Sequence, residues 1–386
     1  VKIFLNELAF LKQKYAEYYA ANFIPPSDVS RREFGFGTIN KIDYRHKSFS
    51  SERELREFMV KEAPLYASYS TAHYEYPANR PMEKKNRLAW DLVFDLDVPS
   101  QPLEHLHSDL FCTTCFSQVR GDCLRLVKEF LFEDFGLNEE SVSINFSGNK
   151  GFHVHVLDAQ ANSIDQNARK AIVEYFSGPK QDDLQEFFSK KLVESDTSSK
   201  GVAEIAVGPS EQSRGWGKKF YKKTIELINS SGLLNDRQLY AKGFSKRDVT
   251  RLRSEKTDAL NAVSQGQWSY FERPEKIWGG IVKDAGIAIE SDKNVTTDLA
   301  RLIRLPQSLH GSTSFVAKKI ALRDLPSFNP FQHALAFSTT KPLKIRVLQS
   351  LELSFLPISM ALAAGEHNMQ EWLAIFLLSK KKAELA

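Results

Sequence analysis

Apolar positions recur at helical spacing over residues 1–20, VKIFLNELAFLKQKYAEYYA, and the pattern stops at Pro25 and Pro26. Proline offers no backbone N–H, so the spacing predicts an amphipathic helix ending there. Acidic residues interrupt this stretch and no small-residue cleavage site appears, so it reads as a helix and not as a signal peptide. A second helix is predicted over ERELREFMVKEA, capped by Ser50 or Ser51 and stopped by Pro64. A third, SQVRGDCLRLVKEFLFEDFG, puts Cys123, Leu124, Leu126, Val127 and Phe130 on one face and ends at Gly136.

Strand signals lie between and after these helices. RLAWDLVFDLDVPS (87–100) alternates with a period of two, and SVSINFSGNKGFHVHVL (141–157) reads as strand, tight glycine loop, strand. From about 160 to 285 the pattern is mostly helical and charged. GIAIESDKNVTTDLARLIRLPQSLHG then returns to strand, loop and helix, with Thr296 or Thr297 expected to cap DLARLI and Pro306 to break it. Two strands, KKIALRD and PLKIRVLQ, and a helix GEHNMQEWLAIFLLSKKKA complete the pattern. The expected fold class is mixed α/β: a core formed by residues 1–160 and 286–386, interrupted by a mostly helical lobe at 161–285.

Composition changes this picture little. The chain has 386 residues, 42% hydrophobic and 26% charged, with a net charge of +4, as in ordinary globular proteins. That charge does not prove nucleic-acid binding, but it permits local basic patches. No run approaches the roughly 18 apolar residues of a membrane helix. The three cysteines all fall between 112 and 123, which excludes a disulfide framework and suggests a metal site.

The chemistry concentrates in four places. In the 87–100 strand, Asp91, Val93, Asp95 and Asp97 share one face, which puts two carboxylates roughly 6–7 Å apart at the strand end. Like charges there favour a divalent cation between them, and Mg²⁺ or Mn²⁺ suits oxygen ligands beside phosphates. The bland alternative is a solvated strand end with turn-forming aspartates before Pro99. In SGNKGFHVHV, Gly148 and Gly151 allow backbone N–H groups to converge on an anion. Ser147, Lys150 and His153 or His155 stand beside them. A hairpin with two partly buried histidines is the alternative.

The late segment supplies Asp292, Asp298, Arg301, Arg304 and His310, and spacing alone does not choose among its acids. Finally, His105, His107, Cys112 and Cys115, at about 103–118, form H-x-H-x4-C-x2-C, a pattern that suits a closed structural Zn²⁺ site. A loop with reduced thiols and solvated histidines is the alternative. RGWGKKFYKK (214–223) mixes lysines with aromatics. It fits either a nucleic-acid groove or a helix start with core aromatics.

Taken in order, REFGFG with Arg45 in YRHKSF, LVFDLD, SGNKGFHV and VTTDLARLIRLPQSLHG resemble the catalytic small subunit of archaeal and eukaryotic DNA primases, in its archaeal form. The resemblance implies a catalytic core of small sheets facing each other across the active site, with a zinc knuckle and an inserted helical lobe. It implies a catalytic triad of Asp95, Asp97 and Asp292 binding Mg²⁺ or Mn²⁺. Phosphate contacts are implied for Ser147, Lys150, His153, Arg304 and His310, and more weakly for Arg45. Position 149 is asparagine where many relatives have a basic residue.

His105 stands where a cysteine is expected, so the structural Zn²⁺ site departs from the family pattern. The implied partners are a large subunit with an iron–sulfur cluster, a single-stranded DNA template, nucleoside triphosphates and other replication proteins. The implied setting is the cytoplasm of an archaeal cell, at replication forks. The rival readings are a primase–polymerase that extends or repairs DNA, a two-metal nuclease, and an inactive nucleic-acid-binding subunit.

Overall fold

The computed structural model describes residues 5–98, 110–158, 161–194, 202–283, 288–289, 291–298, 300–355 and 358–386. The chain divides into two compact units. One comprises residues 1–127, 137–170 and 291–386, and the other 128–136 and 171–290. The fold is mixed α/β, and its paired strands are all antiparallel among the described residues. No helix among them is long and apolar enough to cross a membrane.

The first unit is built on two four-stranded sheets. One has the order Leu302–Arg304, Tyr66–Ser70, Phe34–Gly37, Tyr44–Lys47. The other runs Lys319–Ile320, Val142–Phe146, Phe152–Val156, Leu92–Leu96. The Leu5–Asn22 helix buries Tyr15 and Tyr19 completely. Each buried phenol finds a partner, Tyr15 with the Ser314 Oγ at 2.8 Å and Tyr19 with the Pro64 carbonyl at 3.2 Å. The Glu52–Glu62 helix is capped by Ser51, whose Oγ accepts the Glu54 N–H, and it ends at Ala63 in the left-handed region before Pro64.

The third helix is α over Thr113–Arg125 and continues with wider π turns over Leu126–Phe132. Gly136 follows at φ +72°. Cys123, Leu126, Val127 and Phe130 are buried as the apolar stripe requires. Leu124 is only half-buried.

Three expectations are corrected. DLARLI does not form a helix: Leu302–Arg304 is a strand paired with Ser68–Ser70. The helix lies earlier, over Lys293–Thr297, and Asp292 caps it by accepting the Asn294 N–H at 2.9 Å. Hydrogen bonding along the open edge of Tyr66–Ser70 overrides the local helical spacing, and Pro306 keeps the residue before it extended. Second, Gly365–Gln370 is a strand paired over six residues with Pro342–Val347, so the C-terminal helix covers only Glu371–Ser379. Third, KKIALRD is extended only at Lys319–Ile320 before turning into the 3₁₀ segment Leu322–Ser327.

The second unit holds the helices Gly215–Ser230, Asp236–Ala241, Lys246–Ser254, Lys256–Ser264 and Pro274–Lys283, and a hairpin of Ser189–Glu194 with Val202–Val207. Its aromatic core includes Phe220 stacked on Trp278 at 4.3 Å, with Trp268 buried beside them. Trp216 and Phe220 of RGWGKKFYKK belong to this core and are not exposed stacking platforms. The helix-start reading of that stretch is therefore the right one.

Candidate active site

A cleft of about 380 Å³ opens in the first unit, lined by residues of both four-stranded sheets. Asp95 comes from Leu92–Leu96, where it pairs across the ladder with His153, and Asp97 follows the strand end. The strand is buried on both faces, because the Lys293–Thr297 helix covers it through Thr296 Oγ1, which donates to the Val93 carbonyl at 2.8 Å. That contact carries the later segment to the acids. The Asp292 N–H donates to the Asp95 carbonyl at 3.0 Å. Residues almost two hundred positions apart in sequence thus become neighbours.

Burial pushes the Asp95 carboxyl up to about 6, and the neighbouring Asp292 charge adds to the shift. Asp97 is raised for the same first reason, with Asp95 contributing, although its Oδ1 accepts the Val98 N–H at 2.9 Å. Asp292 raising Asp95, and Asp95 raising Asp97, is the crowding of acids that a divalent cation relieves. The Asp292 carboxylate is held by the Asn294 N–H and by Arg301 Nη2 at 3.1 Å. Among the described residues, no group of three His, Cys, Asp or Glu side chains is arranged to hold a metal unaided. The acids therefore offer a partial ligand set, which phosphate oxygens and water would complete.

The glycine loop lies beside Asp97. Gly148 has φ +81°, and an added Cβ would meet His310 Cβ at 2.8 Å, so glycine sets the approach of the two loops. At Gly151 a Cβ would lie 2.2 Å from the Leu96 carbonyl, which lets the loop pack against the strand end that carries Asp97. Ser147 Oγ accepts the Gly151 N–H at 3.2 Å, and Thr313 Oγ1 donates to the Gly148 carbonyl.

His153 Nε2 stands 3.5 Å from Asp95 Oδ1. Burial, then the Arg304 charge, brings His153 down to about 4, and the same two causes push His310 well below its ordinary value. Both imidazoles are neutral at pH 7. A neutral imidazole keeps one N–H to donate, and His310 Nδ1 accepts the Ser312 N–H at 3.3 Å. His155, on the same strand, is buried away from the cleft and is also neutral.

Not every expected residue arrives. Ser147, His153, Arg304, His310, Arg45, Asp95 and Asp97 line the cleft. Asp292 is not among the lining residues, and neither is Lys150, whose charge bears on Cys115 and Lys380. Asn149 takes its place in the lining, with its amide oxygen buried and without a partner. Arg45 is held by Glu33 at 2.7 Å and by the Ala300 carbonyl at 2.9 Å. Arg304 donates to the Ala67 carbonyl and lies over the Tyr66 ring. Sequence reasoning missed Lys41 and Ser68, and singled out Arg301 without giving it a role. Nothing in the local pattern around Lys41 marks it.

The zinc pattern is only partly visible. Cys112 precedes the Thr113–Arg125 helix and Cys115 lies in its first turn, close enough for their thiols to hydrogen-bond. Burial pushes the Cys115 thiol up to about 11, and no cysteine forms a disulfide. Two thiols so placed fit half of a tetrahedral site. His105 and His107 lie outside the described residues.

Residues 94–322 match the DNA primase small subunit family. Among curated proteins, the chain is similar to the DNA primase small subunit PriS of Methanococcoides burtonii, 31% identical with 97% of each chain covered. The protein of the same name from Archaeoglobus fulgidus is 29% identical, again over 97% of each chain. That from Methanocella arvoryzae is 28% identical over 97% of this chain and 98% of its own. With more than half of its length matching and a relative so similar from end to end, the chain belongs to the DNA primase small subunit family.

Proposed function

We propose that the cleft joins nucleotides on a single-stranded DNA template to make the primers with which DNA replication starts. The observation that carries this reading is the junction of Asp95, Asp97 and Asp292 beside the Ser147–Gly151 loop, with Arg304 and His310 in the same cleft lining as Asp95 and Asp97. A 3′-hydroxyl attacks the α-phosphorus of a nucleoside triphosphate. A phosphodiester bond forms, pyrophosphate leaves and the hydroxyl proton passes to solvent.

Asp95 and Asp97 are the proposed ligands of Mg²⁺ or Mn²⁺, with Asp292 joining them once released from Arg301. The bound ion supplies Lewis-acid activation of the hydroxyl and charge stabilisation at the phosphate. His153 and His310, being neutral, donate hydrogen bonds to phosphate oxygens, and Arg304 contributes a fixed positive charge. Ser147 and the glycine-loop amides orient the phosphate tail. Lys150 stands outside this set.

Cys112 and Cys115, with His105 and His107, are proposed to hold a structural Zn²⁺. The large iron–sulfur subunit is proposed as the working partner, together with other replication proteins, in the cytoplasm of an archaeal cell at replication forks. The test is synthesis on unprimed single-stranded DNA with labelled nucleotides and Mg²⁺ or Mn²⁺, with and without that partner. Products that vanish on chelation and in Asp95→Ala/Asp97→Ala are the expected result. Failure to elongate even a pre-annealed primer with the partner present would overturn the reading.

A further inference from the structure

Four cations line the cleft, and three of them are already engaged by the protein. Arg45 is bound to Glu33 and the Ala300 carbonyl, Arg301 to Asp292, and Arg304 to the Ala67 carbonyl beneath Tyr66. The fourth, Lys41, has no ion-pair or hydrogen-bond partner for its ammonium among the described residues, and it is exposed at the rim. It is nonetheless near enough to act electrostatically on Asp95, on Asp97 and on His310. It therefore lines the same cleft as the acids and His310.

The loop that presents Lys41 is unusually well fixed for a hairpin tip. It connects Phe34–Gly37 to Tyr44–Lys47, and Asp43 organises it. The Asp43 carboxylate accepts the N–H groups of Thr38 at 2.7 Å, Ile39 at 2.9 Å and Asn40 at 3.1 Å, and the Asn40 side-chain amide at 2.8 Å. The Asp43 N–H in turn donates to the Phe36 carbonyl at 2.9 Å. At Gly37 a Cβ would lie 1.9 Å from the Asn40 carbonyl, so the loop folds back on a position only glycine can fill. Such a loop loses little further freedom when its lysine engages a ligand.

We propose that Lys41 is a binding residue for the triphosphate of the incoming nucleotide, and that Asp43 is the positioning residue that holds it over the cleft. The inference rests on the function proposed above and deepens it by naming a phosphate contact from the hairpin tip. A polyanion running from the acids toward His310 passes Lys41, the one lining cation whose charged group has neither an ion-pair nor a hydrogen-bond partner among the described residues. Lysine suits this role, because its ammonium is a point charge able to follow a phosphate group along the rim.

The test is steady-state extension of a primed template by the complete enzyme with its partner subunit, together with binding of a fluorescent nucleoside triphosphate. In Lys41→Ala, KM and the triphosphate dissociation constant rise about 10-fold to 100-fold, as for loss of one charge-assisted contact. Lys41→Arg restores most of that loss, and nucleoside affinity without phosphates does not change. Asp43→Ala moves KM in the same direction by less. The double variant is no worse than Lys41→Ala alone, the non-additivity expected if Asp43 acts through Lys41.

An unchanged KM in an active, folded Lys41→Ala protein overturns the inference and leaves the polymerase reading standing. So does a loss confined to template affinity. An additive Asp43 effect overturns the positioning role. A wild-type complex that binds no triphosphate and extends no primer overturns both readings.

Discussion

Two sites, one in each unit, bury ionisable side chains and treat them in opposite ways. In the second unit Lys219 and Asp134 are 5% and 8% exposed and meet at 2.6 Å. Tyr175 donates to the same carboxylate, and Lys219 also reaches the Glu129 carbonyl. At that site the two charges neutralise each other. In the first unit Asp95 and Asp97 stand beside each other and near Asp292, and Asp95 is pushed up to about 6. A buried pair that satisfies itself holds a fold together. Acids crowded together without a neutralising cation hold a place for a ligand.

The largest expected effect separates the two. Asp95→Ala/Asp97→Ala reduces primer synthesis by about 1000-fold, yet leaves the melting temperature at pH 8 unchanged or higher, as calorimetry will show. Lys219→Met does the reverse to stability. It strands Asp134 in the core and lowers unfolding free energy by about 3–5 kcal/mol, measurable by urea titration.

A smaller effect concerns pH. The folded Asp95 carboxyl, raised to about 6 from an ordinary 3.8, keeps its proton where the unfolded chain has released it. Its contribution to stability is therefore full below about pH 4 and lost as pH rises through 6. Without metal, Asp95→Asn is more stable than wild type by about 3 kcal/mol at pH 8, and the difference disappears near pH 4. A constant difference across that range would place the cause elsewhere. The smallest effect is expected at Lys218→Ala/Lys222→Ala. Both lysines flank Glu133, and the nearby Trp216 and Phe220 are core. Template affinity should change by less than about twofold, as surface ion pairs contribute little.

The parts legible in sequence are those set by local rules. The Leu5–Asn22 and Glu52–Glu62 helices follow from spacing, a serine cap and prolines, and the hairpin at the glycine loop follows from alternation around SGNKG. The carboxylate pair was visible because two acids in an apolar strand are costly without a reason. What was hidden depends on pairing between distant segments. Leu302–Arg304 became a strand because Tyr66–Ser70 offered an edge, and Asp292 became a helix cap whose N–H rests on Asp95. Lys41 looks like any surface lysine until the hairpin tip folds toward the acids. Lys150 fits a phosphate loop by motif, yet the turn at Gly148 presents Asn149 to the cleft instead.

The most direct test of the acids' role is Mn²⁺ binding to the purified protein, followed by the electron paramagnetic resonance signal of the free ion between pH 5 and 8. Affinity is predicted to be flat above about pH 6.5 and to weaken below 6 as Asp95 takes up its proton. Asp95→Asn and Asp97→Asn should each lose most of the binding. Mn²⁺ affinity that ignores pH over this range, or that survives both substitutions, would contradict the assignment of these aspartates as the metal site.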